Sequence, residues 1–75
     1  MLLAVGFEEA LLGTGITYNN EVAVYDYAKC IDILMQRESW TEEEAVEWME
    51  YNVVSAYVGE QTPVFVIIGD MPNAD

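Results

Sequence analysis

The stretch Thr41-Glu42-Glu43-Glu44-Ala45-Val46-Glu47-Trp48-Met49 decides the fold, because it specifies both the start and the buried face of a helix. Thr41, followed three residues later by Glu44, has the form of a capping box, in which each side chain binds the free backbone N–H of the other residue. The apolar residues then recur at helical spacing, and Gly59 is well placed to end the helix. The predicted buried face comprises Ala45, Trp48, Met49, Val53, Ala56 and Tyr57.

A second helix is predicted just upstream, from about Tyr27 to Glu38, with Asp26 as a favourable N-cap residue. Its apolar residues recur at helical spacing and are Tyr27, Cys30, Ile31, Leu34 and Met35. We expect Cys30 to be a buried structural thiol, since the chain has no histidine that could act as its base. One cysteine and no histidine also remove the usual zinc, haem and iron–sulfur ligand sets, so no metal or cofactor site is expected.

Two strands are predicted between Ala10 and Asp26, joined by the polar turn Tyr18-Asn19-Asn20. Asparagine tolerates the left-handed conformation that tight turns need, and β-branched residues suit the flanking strands. Gly13 and Gly15 weaken the first strand and indicate either a bulge or a close approach of backbone. Residues 1–9 have no settled prediction, because the sequence around their end suits a short helical turn as well as a strand.

The run Val64-Phe65-Val66-Ile67-Ile68 predicts a last strand that is buried on both faces. Two antiparallel helices would bring the chain back to the end of the sheet that it left, so we expect this strand to run antiparallel to its neighbour. The prediction is one small α+β domain over residues 1–75, in the order ββααβ, with a three-stranded antiparallel sheet and a helical hairpin on one face. Residues 69–75 are expected to form a flexible tail.

Two short helices can cover only one face of such a sheet, so something else must cover the apolar side chains on the other face. Three candidates are open: the N-terminal segment, a second copy of the chain, or a partner protein. For the second of these, we expect Phe65 and Ile67 to form the face of a homodimer. The aromatic residues of the helices, Trp40, Trp48 and Tyr51 among them, are expected to lie mostly in the core.

The charge of the chain is strongly unbalanced, with 14 acidic residues against Lys29 and Arg37 and a formal net charge of −12. Such a field repels nucleic acid and anionic lipid and speeds the encounter with basic partners, so we expect neither direct nucleic-acid binding nor membrane binding. The N-terminus lacks the basic region of a signal peptide, and a single cysteine indicates a reducing compartment. A cytoplasmic location is therefore expected.

Five of the acids crowd onto the helix that begins after Thr41. Negative charge near a helix N-terminus is stabilising, which accounts for Glu42 and Glu44. The stacking of Glu43, Glu47 and Glu50 at i, i+4 and i+7 is not accounted for, because like charges at this spacing repel. Two interpretations are open: a solvated face that promotes solubility, or a surface that receives a basic partner. Catalysis by paired carboxylates needs a cleft between them, so no enzyme is expected.

The segments Tyr25-Asp26-Tyr27-Ala28-Lys29-Cys30-Ile31 and Glu43 to Phe65 resemble a family of small uncharacterised proteins carried by bacteriophages and prophages. The similarity spans roughly Tyr25 to Phe65 and is most specific from Asn52 onward, and Trp48 stands where the family tends to carry Tyr or Phe. It implies a setting in the cytoplasm of a host cell and implies no activity.

In that setting, the sequence suggests a non-enzymatic protein that binds a basic surface of a host or defence protein, as an inhibitor or mimic of nucleic acid. Glu43, Glu47 and Glu50 would carry the binding. The alternative is a small phage accessory protein that associates with itself and whose acids serve solubility.

Overall fold

The computed structural model describes residues 1–54 and 59–69. In chain order it contains a 3₁₀ turn (Glu8–Ala10), β1 (Leu11–Thr17), β2 (Asn20–Asp26), α1 (Tyr27–Glu38), α2 (Glu42–Met49), a π-helical segment (Glu50–Val54) and β3 (Val64–Val66). The predicted α+β class and the order ββααβ are confirmed.

Strands β1 and β2 form the predicted hairpin, closed by a turn of two residues between Thr17 and Asn20. The left-handed residue of this turn is Tyr18, at φ 54°, rather than an asparagine. A bulge interrupts the pairing between Leu11 and Gly13. A Cβ atom at Gly15 would lie 3.1 Å from Cγ2 of Val24, so the side chain that packs closely on this glycine comes from the neighbouring strand.

The sheet order is β1-β2-β3, and β3 pairs with β2 in parallel, with Tyr25 beside Phe65. The prediction of an antiparallel last strand is therefore wrong. The reason lies in the segment that precedes β3, where Glu60 Oε1 accepts a hydrogen bond of 2.7 Å from Asn20 Nδ2. Because Asn20 is the first residue of β2, the chain has already returned to the starting end of β2 before β3 begins.

Strand β3 is also shorter and more exposed than predicted. Phe65 packs against the core on the helix side of the sheet, whereas Val64 and Val66 alternate to the opposite side. Val64 is 37% exposed, and Ile67 and Ile68 lie beyond the strand with most of their surface in solvent. The strand therefore presents apolar side chains on both faces, as expected, but only the helix side is packed against the core.

Helix α1 has the predicted bounds, because local residues fix both of its ends. The Asp26 side chain accepts a hydrogen bond of 3.3 Å from the Lys29 N–H at the start. At the other end, Ser39 takes the left-handed conformation, with φ 59° and ψ 39°, and its N–H donates to the Met35 carbonyl. Trp40 N–H donates to the same carbonyl, which closes the last turn.

Helix α2 begins with the predicted capping box between Thr41 and Glu44. It ends at Met49, earlier than expected, and the chain continues as the π-helical segment. The predicted buried residues Ala45 and Met49 are fully buried, and Trp48 and Val53 are half-buried against the core. Ala56 and Tyr57 lie outside the described residues.

The N-terminal segment packs against the helix side of the sheet. Ala4 N–H donates a hydrogen bond of 2.8 Å to the Tyr25 hydroxyl, and Phe7 lies in the core. Arg37 secures this arrangement, because its guanidinium lies 5.5 Å from the centre of the Phe7 ring and its Nη1 donates to the Gly6 carbonyl at 3.3 Å. This segment therefore completes the core under the helices and does not cover the opposite face.

The main core is a cluster between the sheet, the two helices and the N-terminal segment, and Val22 of β2 is buried outside it. The buried members of this cluster are Phe7, Ala10, Ala23, Tyr25, Cys30, Ile31, Leu34, Ala45 and Met49. Over the described ranges, none of the helices combines the length and the apolar character needed to cross a membrane.

Candidate protein-interaction surface

The acidic stripe, defined as Glu43, Glu47 and Glu50, lies on the solvent side of α2 and at the start of the π-helical segment. All three residues are exposed. Ala45 and Met49, buried on the opposite side of the helix, fix this orientation, because residues at i and i+4 share a face. The structure thus brings the predicted partner-binding residues together along one exposed surface.

The carboxylates of α2 differ in whether other groups already engage them. Glu44 Oε1 accepts a hydrogen bond of 2.9 Å from Thr41 N–H as part of the capping box. Glu50 Oε2 accepts a hydrogen bond of 3.2 Å from the Tyr27 hydroxyl. Burial and then this hydrogen bond raise the pKa of Tyr27, so the phenol stays protonated at neutral pH. Glu43 and Glu47 have no hydrogen bond or ion pair to any other described residue.

The two cations of the chain lie away from the acidic stripe. Lys29 and Arg37 border the same hollow, between α1 and the N-terminal segment, together with Glu9 and Asp32. Arg37 Nε forms an ion pair of 3.3 Å with Glu38. The hollow between α1 and α2 is lined instead by Tyr27, Ala28, Ile31, Asp32, Met35, Glu42 and Val46. No internal cation therefore neutralises the acidic stripe.

An aromatic surface borders the acidic stripe. Trp40 and Trp48 pack against the core, as expected, but both also contribute to this surface, which sequence reasoning missed. The rings of Trp40 and Trp48 have centres 6.2 Å apart and are tilted by 48°. Both are half-buried, whereas Tyr51 is 80% exposed. These rings belong to an open hollow of about 430 Å³, here called the aromatic hollow, which is lined by Trp40, Glu44, Glu47, Trp48, Tyr51 and Asn52.

The side chain of Asn52 forms a hydrogen bond with the backbone of the preceding helical turn, as expected for a structural role. Its Nδ2 donates to the Trp48 carbonyl at 3.0 Å. The bond holds the Asn52 side chain against the last turn of α2. The amide oxygen of Asn52 remains as an acceptor at the edge of the aromatic hollow.

The two residues expected to form a dimer face are in different environments. Phe65 is half-buried, and its ring stacks on Tyr25 with centres 5.5 Å apart and an angle of 26° between the planes. Ile67 lies beyond β3 and is 76% exposed. Only Ile67 is therefore free to contact another molecule with most of its surface.

Cys30 is fully buried, as expected. Burial, followed by the nearby Asp26 charge, raises the pKa of the Cys30 thiol to about 11. A thiol protonated at neutral pH is a poor nucleophile. Among residues 1–54 and 59–69, no three His, Cys, Asp or Glu side chains are grouped closely enough to hold a metal ion.

Comparisons with models of known protein families, with curated proteins and with solved structures find no match. The residues of the surface are therefore the evidence for what it can bind. Exposed carboxylates beside half-buried and exposed aromatic rings can attract a cation, pair with it and stack on it.

Proposed function

We propose that the protein is a non-enzymatic binding protein that uses the acidic stripe of α2 to engage a basic surface on another protein. The observation that carries the proposal is the absence of any pairing group for Glu43 and Glu47 in the described part of the chain. Carboxylates that share a helix face repel one another by a few tenths of a kcal/mol per neighbouring pair. A basic partner would relieve that repulsion, because it supplies the positive charges that this chain places elsewhere.

The fitting partner is a protein surface rich in Arg and Lys, such as a groove that binds nucleic acid. The net charge of −12 would speed the encounter, and its effect would fall as salt screens it. In a bacteriophage setting, such a surface belongs to a host or defence protein, and the bound chain would exclude nucleic acid from it. Host cytoplasm is the location that this proposal requires.

The test is association kinetics between a basic partner, captured from host lysate at low salt, and three forms of the chain. The first form is wild type, and the second carries Glu43→Gln, Glu47→Gln and Glu50→Gln. The third is a control with the same change in net charge on other exposed positions, Glu9→Gln, Glu21→Gln and Asp32→Asn.

We expect the stripe variant to associate about tenfold more slowly and to show a weaker salt dependence, because local charge steers the encounter. The control should change the association rate much less. Equal effects of the two variants would show that only overall charge matters, and the proposal of a specific acidic face would then be wrong.

Self-association is a second candidate, favoured by the open edges of the sheet in the described part of the chain. Strand β1 has no charged residue, and Ile16 on it is 77% exposed. An edge without charge lacks the usual protection against pairing with another strand. At the other edge, Val64 of β3 is 37% exposed, and Ile67, from the expected dimer face, lies just beyond the strand and is 76% exposed.

The effect of salt concentration on association distinguishes binding to a basic partner from self-association. Two copies that each carry −12 repel, so added salt should strengthen self-association, whereas it should weaken binding to a basic partner. Sedimentation velocity in low and high salt measures the first effect directly. A chain that stays monomeric at both salt concentrations, at about 100 μM, would remove the second candidate.

A further inference from the structure

The aromatic hollow points to a specific chemistry for the basic partner. We propose that it receives an arginine side chain, whose guanidinium stacks on the Trp48 and Tyr51 rings while the Glu47 carboxylate pairs with it. This inference rests on the proposed function and adds to it which partner side chain is recognised and where.

The first argument is the exposure of the aromatic rings. The ring centres of Trp40 and Trp48 are 6.2 Å apart, and both side chains are only half-buried. Full burial of a tryptophan would contribute more to the stability of the fold. Tyr51, on the next turn, leaves 80% of its surface in solvent. A cation over the face of a tryptophan or tyrosine is attracted by the ring, and the attraction grows when the contact excludes water.

The second argument is that one of the two carboxylates that line the aromatic hollow is already hydrogen-bonded, whereas the other has no partner among the described residues. Glu44 is tied to the Thr41 N–H at 2.9 Å, and its position is therefore fixed. Glu47 has no partner among the described residues, yet it lines the same hollow as the aromatic rings. An entering cation would thus meet a fixed carboxylate, a free one and the aromatic faces together.

The third argument selects arginine over lysine. A guanidinium is planar, stacks on aromatic rings and donates two parallel hydrogen bonds to one carboxylate, whereas an ammonium is a strongly hydrated point charge. The chain already uses this preference internally, since Arg37 stacks on Phe7 at 5.5 Å. The Asn52 amide oxygen adds a neutral acceptor for a further guanidinium N–H.

The two tryptophans of the chain are Trp40 and Trp48, so tryptophan fluorescence, excited at a wavelength that tyrosine does not absorb, reports on the aromatic hollow. The probes are three peptides of equal length: acetyl-(Arg-Gly)₄-amide, its lysine counterpart and its citrulline counterpart, which keeps the shape of arginine without its charge. We expect the arginine peptide to change the fluorescence and to bind about threefold to tenfold more tightly than the lysine peptide. The citrulline peptide should not bind.

Two variants test whether Tyr51 and Glu47 bind the arginine side chain. Tyr51→Ser removes an exposed ring without opening the core, and Glu47→Gln removes the free carboxylate. Each should weaken the arginine peptide several-fold and bring its affinity close to that of the lysine peptide. Glu43→Gln is the matched control, because it removes the same charge from the same helix but from outside the aromatic hollow. It should weaken both basic peptides equally and keep the preference for arginine.

The outcomes separate this inference from the proposed function. Equal binding of the arginine and lysine peptides, with no effect of Tyr51→Ser, would overturn the arginine site. The acidic stripe would survive that result if the triple glutamine variant still lost binding. Failure of both basic peptides to bind the wild-type chain at low salt would count against both proposals. Unchanged circular dichroism of every variant excludes unfolding as the cause.

Discussion

The Tyr25 ring on β2 stacks on the Phe65 ring of β3, with centres 5.5 Å apart, and this contact joins the central strand of the sheet to the last strand of the chain. The Tyr25 hydroxyl accepts the Ala4 N–H at 2.8 Å, so the same side chain also holds the N-terminal segment. Tyr25 therefore connects three parts of the chain that are far apart in sequence.

Replacement of Phe65 by Ala should destabilise the fold by about 3 kcal/mol, because it removes a large ring that is packed against the core. A chain of this size has a total stability on the order of 5 kcal/mol, so a measurable fraction should unfold. Tyr25→Phe keeps the ring stack and should cost about 1 kcal/mol through the lost hydrogen bond. Urea unfolding measures both. A larger loss for Tyr25→Phe than for Phe65→Ala would contradict this ranking.

Replacement of Ser39 by Gly should stabilise the protein. Ser39 ends α1 with φ 59°, a conformation that costs a residue with a Cβ atom about 1 kcal/mol more than glycine. Part of the gain is offset by the greater freedom of glycine in the unfolded chain, so we expect a net increase of about 0.5 kcal/mol and a rise in Tm of a few degrees. The control Ser39→Ala keeps the strain and should not raise Tm. A lower Tm for the glycine variant would show that the serine side chain itself is stabilising.

Stability should fall between about pH 9 and pH 11 because of Cys30. Its pKa is 9.0 as the ordinary value and about 11 in the folded chain, where burial disfavours the thiolate. In this window the unfolded chain has released the proton that the folded chain still holds, so each rise in pH favours unfolding. The stability is fully present below pH 9, and the loss is on the order of 2 kcal/mol by pH 11.

The variant Cys30→Ala serves as the reference for this effect. It retains Tyr27, whose raised pKa acts in the same direction, so the difference between the two pH profiles reports the thiol together with its smaller charge coupling to Tyr27. Denaturant midpoints at pH 8, 9.5 and 11 measure the profiles. Parallel profiles for the wild type and the alanine variant would refute the assignment.

Replacement of Glu47 by Lys should raise stability and abolish partner binding at the same time. The new cation relieves repulsion with Glu43, Glu44 and Glu50, and pairs of opposite charge at these spacings contribute about 0.2–0.5 kcal/mol each. Glu9→Lys makes the same change in net charge away from α2, in the 3₁₀ turn. It should leave binding nearly unchanged. If Glu47→Lys instead lowered Tm, the glutamate would have a stabilising role, and the argument from unrelieved repulsion would fail.

Helix α1 and the start of α2 could be predicted in detail, because these helix ends depend on neighbouring residues. Asp26 and the pair Thr41 and Glu44 cap the helices through bonds that span three residues. The direction of β3 could not be predicted in this way. The direction of β3 depends on where the preceding segment places the start of that strand. The hydrogen bond between Asn20 and Glu60 shows this position, but it joins residues that are distant in sequence.

The candidate site also has one part that depends on neighbouring residues and could be predicted, and another part that depends on packing and could not. The acidic stripe was predictable, since its members repeat at helical spacing within one helix. The aromatic hollow was not, because Trp40 belongs to the turn between the helices and meets Trp48 only after α2 has formed and packed. The exposure of Tyr51 was equally hidden, since the change from α-helical to π-helical backbone after Met49 shifts where later side chains point.

The separation of Lys29 and Arg37 from the acidic stripe leaves the negative charge of the stripe locally uncompensated, whereas the two cations lie beside other carboxylates. A partner with a positive surface would attract the stripe more strongly than the part of the molecule that carries the cations, and this uneven attraction would turn α2 toward the partner before contact. Fewer encounters then begin in an unproductive orientation. Exchanging the positions of one cation and one stripe carboxylate would keep the net charge constant while removing this rotational bias.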